Sequence, residues 1–159
     1  MIRRGLALLL CVLAACAGGG SGGGGGGGPK GCKCVAPGCP TVSFNGNIQP
    51  IFNQSCATTS QCHAVNGAQD LDLSQGHSIQ NTVNVKSTEQ PKLLRIKPGD
   101  PDVSYLYQKI IGAPTISGIL MPQGCPGTPL GGAVCLDNNQ ISAINQWIVE
   151  CATDTPSLP

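Results

Sequence analysis

The sequence predicts a mostly α-helical fold: a small helical domain with long, disulfide-stapled loops. Three observations predict it. Apolar residues recur at helical spacing in three separate stretches, and no strand pair or hairpin signal stands out. Gly- and Pro-rich segments separate those stretches. Cysteines are frequent, ten in 159 residues, while only five aromatic side chains (Phe44, Phe52, Tyr105, Tyr107 and Trp147) are present to build a core. A protein-only core of this kind is thin, so staples or a cofactor are expected to support it.

The N-terminal residues read as targeting and tether, not as fold. Arg3 and Arg4 precede the apolar run Leu6 to Leu13, as in a secretory signal too short to span a bilayer. Its end, Leu13-Ala14-Ala15-Cys16, resembles the lipobox of bacterial lipoproteins. That resemblance implies a signal over 1–15, lipidation of Cys16, and residence as an outer-membrane lipoprotein on the periplasmic or cell-surface side, anchored by lipid chains. Residues 16–31 continue as a Gly/Ser-rich coil with a reach of roughly 20 Å. A Cys-rich extension follows over 32–43, the domain over 44–153 and a tail over 154–159. Nine Lys/Arg face eight Asp/Glu; without Arg3 and Arg4 the balance is seven to eight, a net charge of −1. No basic stripe is present, so nucleic acid is not an expected partner.

Within the domain, Ile48, Ile51 and Phe52 space a short helix over 47–54, with Pro50 tolerable only in its first turn. Leu71 and Leu73 alternate in an extended piece or turn, 74–84 is a weak helix, and Leu93 to Ile96 looks extended. Asp100 is placed to cap a helix with Pro101 at its first position; Val103, Leu106, Tyr107, Ile110 and Ile111 form its apolar face, and Gly112 ends it. Asp137 and Gln140 open the last helix as a capping box, and Ile141, Ile144, Trp147 and Ile148 form its buried stripe.

Setting aside Cys11 and Cys16, eight cysteines remain: Cys32, Cys34, Cys39, Cys56, Cys62, Cys125, Cys135 and Cys151. An even number in an exported chain points to oxidised pairs. Cys125 and Cys135 bracket a Gly/Pro loop and are expected to pair; Cys151 is expected to tie the chain end to the 32–39 segment.

The stretch CATTSQCH, 56–63, carries the candidate chemistry. A Cys-His pair with a Cys upstream is the pattern of c-type haem attachment, where two residues normally separate the cysteines. Here five do. A continuous helix would rise roughly 9 Å over six positions, so Ala57 to Gln61 must loop out, as two threonines and a serine permit. A c-type iron also takes a second axial ligand, His or Met. Met121, in a Gly/Pro loop, is the one methionine besides Met1; His77 is the other candidate. His63, Met121 and His77 also suit copper by donor type.

The segments IQPIFNQSC, IKPGDPDVSYLYQKI, LMP and LDNNQISAINQWIVECA stand in an order that resembles the small helical class of bacterial cytochrome c-like domains, over about residues 44 to 152. The resemblance implies a haem c cofactor, thioether links at Cys56 and Cys62, His63 as proximal and Met121 as distal iron ligand. It implies electron transfer with redox partner proteins of the cell envelope. The sequence holds no catalytic constellation, so an enzyme is not expected. Two departures from the pattern are the five-residue spacing and Cys151, which stands where members commonly have Gly. A Cys56–Cys62 disulfide is the alternative for the same residues, making a haem-free structural or interaction module.

Overall fold

The computed structural model describes residues 41–154. The expected signal, the Cys16 lipidation site, the linker, Cys32, Cys34, Cys39 and all but the first residue of the tail lie outside the described residues. Within them the fold is helix-rich, with four α-helices and no strand beyond three isolated bridges. No helix among them is long and apolar enough to cross a membrane.

Helix α1 spans Gln49–Ser55. Pro50 sits in its first turn, where a missing N–H costs nothing. A π-helical turn, Phe44–Ile48, leads into it, opened by Ser43, whose side chain accepts from the Gly46 N–H. This turn was not expected from the sequence. Ile48, Ile51, Phe52 and Ser55 form the buried face, one every three or four residues. The helix ends at Cys56, just ahead of Thr58 and Thr59.

Helix α2, Ser78–Thr82, is a single short piece inside the segment read as weakly helical. Ser78 Oγ ties it to the rest by donating to Gln49 Oε1 at 2.7 Å and to the Leu73 carbonyl at 2.8 Å. The extended segment after it is held by bridges pairing Val83 with Ile96, Lys86 with Leu94, and Leu94 with Ser104.

Helix α3 spans Tyr105–Ile111, four residues later than its expected start. Pro101 opens a separate 3-10 turn, Pro101–Val103, and Asp100 makes no side-chain cap. Its carboxylate is drawn instead to Lys97 Nζ at 2.9 Å. The expected apolar face is trimmed accordingly: Leu106 and Ile110 are buried, whereas Ile111 is 47% exposed at the last turn. Gly112 ends the helix at φ +64°, a left-handed position that glycine adopts without penalty.

Helix α4, Asn138–Val149, starts as expected. Asp137 Oδ1 accepts the Gln140 N–H at 2.8 Å, and the Gln140 side chain accepts the Asp137 N–H at 3.0 Å. Ile144, Trp147 and Ile148 are buried. At its C-terminus the Ala152 N–H reaches the Trp147 carbonyl at 2.8 Å and the Cys151 N–H that of Ile148 at 3.1 Å. This is the Schellman pattern, with Cys151 at φ +80° where glycine is usual.

The core is one cluster in which α1, α3 and α4 meet the π turn. Its centre is an aromatic trio: Phe44 lies 5.2 Å from Trp147 and 6.1 Å from Phe52, and Phe52 lies edge-on to Trp147 at 6.4 Å. Glu150 accepts the Val42 N–H at 3.0 Å and a bond from Gln146 at 2.8 Å, fastening the first described residues to the end of α4. Cys125 and Cys135 are disulfide-bonded, Cα atoms 5.7 Å apart, across the α3–α4 connection. Cys151 is disulfide-bonded too; its expected partners lie outside the described residues.

Candidate functional site

A cavity of about 280 Å³ opens between α1, α3, α4 and the long loops. That is near the lower end of small-molecule and cofactor pockets, roughly 300–1,000 Å³. Its walls include Cys56, Cys62, His63 and Met121, four side chains separated by up to 65 positions in the chain.

The first three arrive together because the loop closes on itself. The His63 N–H donates to the Cys56 carbonyl at 3.0 Å, a bond across the neck of the loop. Inside it, the Cys62 N–H turns back to the Thr59 carbonyl at 3.0 Å. The five intervening residues therefore bulge, as the spacing requires, while both cysteines stay at the cavity. Both are free thiols. Burial first, and the neighbouring Cys62 charge second, push the Cys56 thiol up to about 12.

His63 is oriented from behind. Its Nδ1 lies 3.1 Å from the Ala68 carbonyl. A carbonyl only accepts, so Nδ1 carries the proton and Nε2 keeps its lone pair. This is the arrangement of a metal-ligating imidazole. Gly67 makes the approach possible: a Cβ there would stand 2.6 Å from the Cys62 and Ala64 carbonyl oxygens and 2.8 Å from His63 Cα. Burial lowers the His63 pKa most. The Ala68 bond works in the opposite direction, the charges of Arg95 and Lys109 lower it further, and Glu89 opposes them.

Met121 reaches the cavity from the α3–α4 connection, anchored by its N–H to the Lys109 carbonyl at 3.0 Å. Pro122 and Gln123 beside it, and Leu130 and Ala133 in the disulfide-closed loop, continue the same wall.

One part of the wall is polar, and apart from Tyr105 none of its residues had been singled out in the sequence. Arg95 and Lys109 are each only 7% exposed and both line the cavity. Lys109 pairs with Glu89 at 3.2 Å and donates to the Ser117 carbonyl at 2.8 Å. Tyr105 donates to Glu89 at 3.0 Å. Arg95 donates to neutral acceptors, the Asn81 and Gln69 carbonyls at 2.9 and 2.7 Å. Ser55, also on the cavity, has the one buried side-chain polar atom without a partner among the described residues. A lone Arg, Lys or Ser carries no periodic signal, so only the assembled fold marks them as neighbours.

His77 is placed elsewhere. Its Nδ1 faces Asp72 at 3.6 Å, and it is not on the cavity. The trio His63, Met121 and His77 is therefore not brought together as a copper site. Among the described residues no group of three or more His, Cys, Asp or Glu could hold a metal ion. Trp147 stays in the core, its indole N–H donating to the Thr153 carbonyl at 3.1 Å, while Tyr105 serves both core and cavity.

No family model, curated protein or solved structure matches the chain.

Proposed function

We propose that this chain is a lipid-anchored c-type haem protein that carries electrons in the cell envelope, on a fold of the small cytochrome c-like class. One observation carries the reading: Cys56, Cys62, His63 and Met121, selected for haem chemistry from the sequence, all line the same cavity. The donor set suits the group. His63 holds its proton on Nδ1 and so offers Nε2 as the proximal ligand. Met121 supplies a thioether as the distal ligand, and a His/Met pair favours a high reduction potential. Cys56 and Cys62, both free, supply the two sulfurs for thioether links.

The polar wall fits the rest of such a ligand. Haem carries two carboxylates on an otherwise apolar macrocycle. The buried Arg95 guanidinium, whose hydrogen bonds run to neutral carbonyls and whose nearby opposite charge is Asp70, offers a donor to one of them. The Ser55 hydroxyl, buried and without a partner, is a further polar group free to serve a bound molecule. When bound, the haem supplies a one-electron couple. The chain's residues hold it, keep water from it and tune it, and no residue is assigned a catalytic step. Redox proteins of the envelope are the partners, and the lipid at Cys16 places the domain at the outer membrane.

The visible spectrum of the chain purified from a host competent in c-haem maturation tests this. A Soret band that survives acid-acetone extraction is expected. In the Met121→Ala variant the low-spin spectrum is expected to be lost and the potential to fall. Colourless protein whose mass shows Cys56 and Cys62 joined would overturn the reading in favour of a haem-free module.

A further inference from the structure

The loop between the two cysteines holds three residues more than the usual spacer, and two of its threonines converge on one sulfur. Thr58 Oγ1 donates to Cys62 Sγ at 3.5 Å and Thr59 Oγ1 at 3.6 Å. The Cys62 thiol points its own hydrogen at the Leu130 carbonyl, 3.8 Å away. Gly131 packs beside it, so close that a Cβ there would lie 3.0 Å from the sulfur and 3.1 Å from Thr59 Oγ1. The Cys62 sulfur is thus fixed by the bulge on one side and by the disulfide-closed loop on the other. No hydrogen bond reaches the Cys56 sulfur among the described residues, in contrast to the three at Cys62.

We propose that the two cysteines are unequal: Cys62 is the reactive thiol of the pair, Thr58 and Thr59 are positioning residues that hold its sulfur at the cavity, and Cys56 is the slower second thiol. The thiolate is the nucleophile. Two hydroxyls aimed at the sulfur stabilise the negative charge that grows there during attack. Cys56 has no such donors. The extra loop length acquires a purpose: a two-residue spacer would not carry both hydroxyls.

The consequence for haem attachment depends on the proposed function. Cys62 adds first across a vinyl group. Its S–H bond breaks, a C–S bond forms at the vinyl carbon next to the ring, and the proton ends on the terminal carbon, which becomes a methyl. The double bond is consumed, and nothing is oxidised or reduced. Cys56 follows by the same addition to the second vinyl.

The inequality itself is measured without haem. The full chain made without haem maturation is treated with iodoacetamide at pH 8, without reductant, and each cysteine is followed by peptide mass spectrometry. Cys62 is expected to be alkylated at least ten-fold faster than Cys56. A Thr58→Val/Thr59→Val double variant is expected to slow Cys62 at least three-fold, leaving Cys56 and the melting temperature unchanged, with the corresponding Ser variants restoring the rate. Should the double variant not fold, the single Val variants replace it, and each must slow Cys62. Equal rates at the two cysteines, or a Cys62 rate indifferent to the Val substitutions, overturn the proposal. In the haem-competent host, Cys56→Ala is expected to retain singly linked haem by intact mass and Cys62→Ala to lose it. A colourless wild-type chain with unequal alkylation would overturn the haem reading while leaving the thiol asymmetry standing.

Discussion

His63 is the residue at which the cavity meets pH. Burial, helped by the nearby charges of Arg95 and Lys109, outweighs the Ala68 bond and Glu89 and lowers its pKa. A lowered folded-state pKa means the unfolded chain binds the proton more readily. The stability this represents is therefore intact above the ordinary histidine value, about 6.5, and is lost as pH falls through the lower folded value. Denaturant midpoints of the haem-free chain and of His63→Gln are expected to keep a constant difference above pH about 7. They are expected to converge on acidification, the wild type losing more. Curves that stay parallel down to pH 4.5 would mean the imidazole is not held neutral. The same direction favours ligation, because a neutral imidazole binds iron and an imidazolium does not.

Among the elements, α4 is the one whose start was written most openly in the chain. Asp137 and Gln140 exchange both bonds of a capping box. Asp137→Ala is expected to cost about 1 kcal/mol of stability, visible as a lower denaturant midpoint with unchanged slope. Helix α3 shows where local reading fails. Asp-Pro at 100–101 is a good helix start, yet the Asp100 carboxylate is taken by Lys97, and Ser104 Oγ donates to the Asp100 carbonyl at 2.8 Å while accepting the Lys97 N–H at 2.8 Å. Those bonds hold 97–104 as a turn, and the helix waits until Tyr105. The competing partners are themselves polar loop residues without a repeat, and no periodicity announces them. The Cys56–His63 loop was legible as a necessity, since a straight helix cannot bring both cysteines to one place. How it closes, through a backbone bond at its neck and a glycine pressed behind His63, was not.

Across the whole molecule, the cavity is a shared surface. Phe52 and Ser55 of α1, Tyr105, Leu106, Lys109 and Ile110 of α3, and Ile144 of α4 all reach it. A haem seated there touches three of the four helices and is ligated by His63 and Met121 only in the folded chain, even though thioether links would keep it on the unfolded one. Calorimetry of the haem-loaded chain is therefore expected to show a higher melting temperature than that of the haem-free chain; coincident transitions would exclude the cavity as the binding place. At this scale the sequence foretold the helical class and the Cys125–Cys135 staple, and the four side chains it singled out line one cavity. It was silent on Arg95, Lys109, Glu89 and Ser55, whose meaning lies in distances between far-apart loops.

The bond from the His63 N–H to the Cys56 carbonyl carries a consequence for how such sites are found and built. Once the neck is tied, the cysteines are placed by the knot and by the Thr58 and Thr59 bonds to the Cys62 sulfur, not by a fixed two-residue count between them. Searches keyed to a fixed two-residue gap pass over chains of this kind. Between Ala57 and Gln61 the chain takes on extra length while its two ends stay tied at the neck.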